Sequence, residues 1–472
     1  MARAWVWLRD HAEVVAFTAG LLAFAFVGGM AVGRLGLFPY PILNAAWDAA
    51  SDWRANWRAY AGIRPKYLQP TDRTEGGVTI HDPARAFAGY TLVATYMGDH
   101  YDAYLLDMDG QVVHRWDASA RRLFPESAIA QSAGGTAVLD IHGVHLYENG
   151  DLVVSLGGQG AAKLDRCGRV VWRIAQETHH HVEPLPDGGV IIPDRVKRAE
   201  VAPDRPKIGL GPSGFYYDDR ILHVDASGRV VSEKSVIDIL WQSGWASVLL
   251  SGPDLAKTVE TEDPVHLNDV ELLTPELAAA FPLFEPGDLM LSLKHSNTIL
   301  VVDPDDWQVR WSMTGPMLMQ HDPDFLPNGN ILVYDNRVTG PKPLLGNTRL
   351  IEVSPTSRTV VRVHEGTGDQ AFYASERGEQ QVLPNGNILL VDPFGGRLVE
   401  IAADSNYEVV WEWVNLIEPG FVGLITDVQR IAKPNVDWIG AACDGPDVAT
   451  GGRTGALLSQ LALTAIVSAP AL

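Results

Sequence analysis

Cysteine is nearly absent from this chain: Cys167 and Cys443 are the only two in 472 residues. So few exclude both a disulfide framework and a cysteine-built metal site. They are read as two unrelated thiols, with a single bridge in an oxidising compartment as the alternative. Basic residues are also scarce, 37 Lys and Arg against 58 Asp and Glu, for a net charge of −21. A surface of that sign repels phosphate backbones, so nucleic acid is not an expected partner. An anionic small molecule in a local basic pocket stays open. No nucleophile elbow, phosphate-binding glycine loop or His-Glu-x-x-His motif is present.

Long apolar runs are missing as well, with one exception. Val14 to Gly33 carries no charge and is long enough to cross a bilayer core. Arg3, Arg9 and Arg34 flank it, partly offset by Asp10 and Glu13. The run exceeds a usual signal-peptide core, so residues 1–40 are expected to be an uncleaved signal anchor. Trp47, Trp53, Trp57 and Tyr60, interleaved with Arg54 and Arg58, suit a helix near the membrane surface over 41–75. A helix packed on the main domain is the alternative. A charge-free tail follows Thr454.

What the chain has in quantity is Gly (45) and Pro (30), the composition of a turn-rich β fold. From residue 76 a repeat is visible. Tyr147–Val154, Leu185–Ile192, Leu326–Val333 and Leu383–Leu390 each run through Asn-Gly or Asp-Gly into an apolar strand. Asn-Gly between apolar runs signals a hairpin whose two central residues take positive φ. A second hairpin follows each, as in Tyr104–Trp116 and Lys163–Trp172, with weaker copies to Trp311 and Trp411. Six such units start near residues 89, 143, 181, 269, 322 and 379. Tandem four-stranded units predict an all-β fold, a six-bladed β-propeller over 76–432 with an N-terminal transmembrane helix, and a tail over 433–472. Trp172, Trp311 and Trp411 recur in one slot and are read as blade packing, as is His114.

The histidines fall in register. Five residues before the Leu or Tyr of each turn stand His142, His180 and His321, with His266 in the equivalent place of the fourth unit. The sixth unit has Gly378 there. First strands of propeller blades line the axis, so these four imidazoles are expected to meet at one end of it. Strand alternation sends His179 and His181 away from His180, although a one-residue register error would put His179 on the axis. His81 is a weak candidate; His145, His223 and His364 are read as structural. Lys294 and His295 sit on a loop that can reach the same opening.

Neutral imidazole is a nucleophile, a general base and a metal ligand, so covalent transfer and metal chemistry both remain open on spacing alone. Asp140, Glu183, Asp269 and Asp322 lie close enough in sequence to orient the rings in either scheme.

Several stretches together resemble the arylsulfotransferase family of bacterial periplasmic and membrane-tethered propellers: Gly89–Leu92, Tyr104–Trp116, His179–Gly188, Val265–Val270, Ser292–Ile299 and Gln320–Asn336. The resemblance implies transfer of a sulfuryl group from a phenolic sulfate ester to a phenol through a sulfohistidine, with no nucleotide donor and no cofactor. Carried over, His321 matches the nucleophile, and His266 and His180 match histidines that bind the sulfate and handle the leaving phenol's proton. Lys294 stands where the family carries arginine, which replaces a bidentate clamp with a point charge. His142, His179, His295, Asn268 and Asn336 are candidate substrate-binding residues. The resemblance also implies a single-pass inner-membrane protein with a periplasmic domain, and small-molecule aryl sulfate and phenol as partners. A membrane protein partner or a second copy stays open. A non-catalytic tethered scaffold and a histidine-ligated metalloenzyme are the competing readings.

Overall fold

A computed structural model describes residues 11–34, 67–98, 101–127, 141–200, 215–250, 262–339, 343–405, 407–432, 437–440 and 443. The expected surface helix at Trp47–Tyr60, the tail after Thr454 and Asp140 lie outside them. Contacts divide the chain into two compact units. One takes in Met1–Arg64, Lys197–Tyr217 and Asp254–Pro264, and the other the remainder. In the first, Ala12–Arg34 is one α-helix, long and apolar enough over Ala12–Val32 to cross a membrane. Its Phe17, Phe24 and Phe26 are exposed, as side chains facing lipid would be.

The second unit is a β-propeller. Among the described residues it holds six antiparallel sheets of at least four strands, together with a small three-stranded sheet. Five sheets start with a strand close to an expected position: Ile141–Leu146, Glu183–Pro184, Leu267–Leu272, His321–Phe325 and Gln380–Val382. The unit expected to begin near residue 89 differs. Gly89–Tyr96 is its second strand, and its first is the C-terminal strand Ile425–Ala432, paired from Ile425↔Thr95 to Ala432↔Gly89. At the other end, Gly77–His81 adds a fifth strand to the last sheet by pairing with Val409–Val414. Segments from both sides of the repeat therefore complete the opening and the last sheets.

Adjacent first strands are laced by side chains. Val144 N–H donates to Asp427 Oδ2 (2.7 Å), and Leu272 N–H to Glu183 Oε1 (3.1 Å). Asn268 Nδ2 donates to Gln320 O (2.8 Å). Gln380 N–H donates to Asp322 Oδ2 (2.6 Å), and Arg430 N–H to Gln381 Oε1 (2.6 Å). Buried backbone donors must find acceptors; here the acceptors come from the neighbouring blade.

The repeated hairpin turns carry one positive φ, not two. Gly150, Gly188, Gly329 and Gly386 adopt it while the preceding Asn or Asp does not. In the third, Gly329 N–H donates to Leu326 O and Leu326 N–H to Asn330 O. That is a type I turn followed by a left-handed glycine, the three-residue hairpin. The outer slot is filled as expected: Trp172, Trp311 and Trp411 are buried. Trp311 Nε1 reaches Pro355 O and Trp411 Nε1 reaches Met108 O on the neighbouring blade. His114, opposite Leu105 as Trp311 is opposite Val301, takes the same place.

The two cysteines are not separate thiols. Cys167 and Cys443 form a disulfide, with Cα atoms 5.7 Å apart across 276 residues of sequence. Trp438 packs edge-on against Trp116 and His114, so Trp438 and Cys443 are fastened to the first two sheets. Trp411, fully buried, tests the slot: Trp411→Ala is expected to cost about 3–5 kcal/mol. A lower urea midpoint by circular dichroism, with Trp411→Phe falling in between, is the measurement.

Candidate active site

At one end of the first strands the histidines meet. The His180 ring centroid lies 5.1 Å from that of His142, 5.1 Å from His266 and 6.0 Å from His321. His180 Nε2 and His266 Nε2 are 3.1 Å apart, so one carries the proton and the other accepts it. Close approach is built into the backbone: a Cβ on Gly143 would stand 2.2 Å from His180 O. His180 (φ 58) and His266 (φ 53) are both left-handed, a costly conformation for non-glycine residues that concentrates at functional sites.

That backbone turn overturns the alternation expected around His180. His179 stays with the cluster, 5.2 Å from His180 and 6.2 Å from His266, with Nε2 3.4 Å from Asp219 Oδ1. His295 joins too, 4.6 Å from His266, on the single turn Lys294–Ser296. Lys294 N–H on that turn donates to His266 O (3.0 Å), and the Lys294 charge bears on both His266 and His321. Only His181 departs, toward a set of carboxylates. His81 ends an outer-edge strand and has no part in the cluster. His364 is buried against Glu352, 3.2 Å away.

His321 is set apart by its partners. Its Nδ1–H donates to Asn336 Oδ1 (2.8 Å). The Asn336 amide cannot turn over, because its Nδ2 donates to Arg377 O (2.6 Å) and Ala374 O (3.2 Å). The proton is thereby fixed on Nδ1, leaving Nε2 with a free lone pair. That Nε2 is buried and has no hydrogen-bond partner. Burial, reinforced by the Lys294 charge, lowers the His321 pKa to about 3. Burial also drives His180 well below its usual value, aided by His142 and His266. His266 falls likewise through burial and then Lys294. At neutral pH these three rings are uncharged.

The residues lining the space at His321 include His142, His180, Asn268, Thr426 and Arg377. The Arylsulfotransferase (ASST) family model matches residues 142–415, more than half the chain. The chain belongs to the arylsulfotransferase family. No curated protein matched it. Among solved structures it is similar to a protein of unknown function from Bacteroides caccae, at 16% identity over 73% of this chain and 99% of that one, TM-score 0.45. The Cps50 (Swd1) β-propeller domain of Myceliophteria thermophila is similar at 8% identity, over 74% and 89%, TM-score 0.38.

Arg377, which lines this space in the arylsulfotransferase-family chain, is a residue that sequence reasoning missed. The register count stops beside it, at Gly378, where a Cβ would stand 2.3 Å from the Tyr334 ring. No side chain fits there, so the sixth unit supplies Arg377 from the preceding position. Of the carboxylates expected to orient axial rings, Glu183 and Asp269 flank His181 instead, 3.5 and 3.4 Å from its nitrogens. Burial alone would lower His181, but Asp269 and then Glu183 outweigh it and raise the pKa to about 10.

The sign of the His321 shift is testable. A folded pKa near 3, below the ordinary value of about 6.5, means the neutral ring persists through pH 5. Nitrogen-15 NMR of histidine-labelled protein is expected to show His321 as the Nδ1–H tautomer from pH 8 to pH 5. Asn336→Asp places a negative charge on Nδ1–H and moves that titration upward.

Proposed function

We propose that the protein transfers a sulfuryl group from a phenolic sulfate ester to a phenol through a sulfohistidine on His321 Nε2. The observation that carries this reading is the buried, unpartnered Nε2 with its tautomer fixed by Asn336. Family membership supports the reaction class. A neutral ring with a free lone pair attacks the sulfur in line; the S–N bond forms as the S–O bond to the phenol breaks.

The leaving phenolate needs a proton, and the His180–His266 pair holds one on an Nε2. Lys294 and Arg377 supply positive charge for the equatorial sulfuryl oxygens, which gain charge in the transition state. Arg377 offers the bidentate geometry that Lys294 lacks. Asn268 and His142 line the space the donor would fill, while His179 and His295 pack on the proton-carrying pair. In the second half-reaction a phenol attacks the sulfohistidine. Its proton passes to the histidine pair and the S–N bond breaks, which restores His321.

We further propose that the helix Ala12–Arg34 anchors the protein in a bacterial inner membrane with the propeller in the periplasm. The apolar helix and the Cys167–Cys443 bridge support this, since disulfides persist in oxidising compartments.

The full chain incubated with a chromogenic aryl sulfate and a phenol acceptor is expected to release phenol with ping-pong kinetics. His321→Ala should lose at least about 10³-fold in kcat, and His266→Gln about 10²–10⁴-fold. Intact mass after donor alone should show one added sulfuryl group, absent in His321→Ala. A chain that binds donor with no turnover and no adduct would instead be a scaffold.

A further inference from the structure

One buried carboxylate beside the histidines has no part in the transfer chemistry. Asp219 is fully buried and stands on Tyr216–Val224, the third strand of the sheet entered through His180. Its two oxygens face in different directions. Oδ1 lies 3.4 Å from His179 Nε2. Oδ2 accepts from Leu267 N–H (2.9 Å), the peptide that directly follows His266. His179 is tied to its own sheet, where its N–H donates to Pro193 O (3.0 Å), while Leu267 opens the first strand of the next sheet. A single side chain therefore spans the seam between the two.

The His180–His266 pair forms across that same seam. Its Nε2–Nε2 contact of 3.1 Å joins one ring from each side, and both residues are left-handed. Such backbone at a non-glycine residue persists only where its surroundings over-determine it. On the His266 side the bond from Leu267 N–H to Asp219 is part of that support. On the other side the His179 ring packs edge-on against His180 and faces the same carboxylate. Charge acts together with shape. A carboxylate facing a ring nitrogen favours a proton there, and a histidine is set in a working site through the partner of its outer nitrogen. At 3.4 Å the separation is longer than an ordinary N–H···O bond, so Asp219 acts on His179 chiefly through its charge.

We propose that Asp219 is the positioning residue of the acid–base pair. Its Oδ2 fixes the turn after His266, its Oδ1 holds the His179 ring with a proton on Nε2, and together they set the His180 and His266 rings at N–H···N distance. The catalytic purpose of this arrangement rests on the sulfuryl-transfer reading; the geometry it maintains does not. Two variants separate the duties. Asp219→Asn keeps an oxygen for Leu267 N–H but turns an amide NH₂ toward His179, which makes Nε2 an acceptor. Asp219→Ala removes both partners.

The test uses the full chain in detergent with nitrogen-15 histidine. Wild type should show a scalar coupling across the Nε2–H···Nε2 bond of His180 and His266, and a proton on His179 Nε2. Asp219→Asn should remove that proton and leave His179 as the Nδ1–H tautomer. Asp219→Ala should lose the coupling; its hydrogen exchange over Leu267–Leu272 should quicken, while that of Asp219→Asn stays slow. With a chromogenic aryl sulfate and a phenol, Asp219→Ala should lower kcat about 10–100-fold, the usual cost of removing an orienting partner. KM for the donor should change less than about threefold, since a positioning residue makes no contact with the donor. A wild-type coupling and wild-type His179 signals in Asp219→Ala overturn the proposal, as does a wild-type chain with no coupling. Where Asp219→Ala fails to fold by circular dichroism, unchanged His179 signals in Asp219→Asn overturn it. A folded chain with the expected couplings and no turnover counts against sulfuryl transfer and upholds the positioning of the pair.

Discussion

First strands borrow side chains from their neighbours to satisfy backbone groups, and the site depends on that borrowing. Asp427, Glu183, Asp322 and Gln381 each accept from the backbone of an adjacent first strand. A buried N–H left without an acceptor costs about 1–3 kcal/mol, so a blade cannot drift from its neighbour at such a seam without loss. The rigidity this confers lets three rings from three other sheets stay within about 6 Å of the His180 ring. Asp269, with Glu183 and Asp322, brings the negative charge that makes His181 so basic, while burial holds His180, next in sequence, neutral. Two chemistries thus sit one peptide apart, divided by the left-handed turn at His180.

His321 shows how neutrality is enforced. Burial excludes the water that would stabilise an imidazolium, and Lys294 opposes a second positive charge. Asn336 then decides which nitrogen is bare, and Asn336 is itself held by two carbonyls, of Ala374 and Arg377. The ring's orientation therefore rests on the loop leading into the sixth unit, while the ring itself belongs to the fifth. A ring held from the next blade is a direct result of the circular arrangement.

Much of this was legible in the sequence because the repeat is local. The Asn-Gly turn fixes where each first strand ends, and a constant count back from it finds His142, His180 and His321. What was not legible depends on distant or non-repeating features. The first strand of the opening sheet comes from the C-terminus, and nothing near Gly89 announces a partner so far along the chain. His179 was misplaced because alternation presumes extended backbone, which His180 does not adopt. The cysteine pair spans 276 residues, beyond what spacing can indicate. Arg377 stayed hidden behind Gly378, whose lack of a side chain is explained only by the Tyr334 ring.

The closure strand has a consequence for synthesis. Arg430 bonds to Thr91 across 339 positions of sequence, so the opening sheet has no first strand until residue 432 is available. A nascent chain can form individual hairpins but cannot complete the ring. Products cut short before Ile425 would present the bare edge of Gly89–Tyr96, an exposed template for quality-control proteases or aggregation.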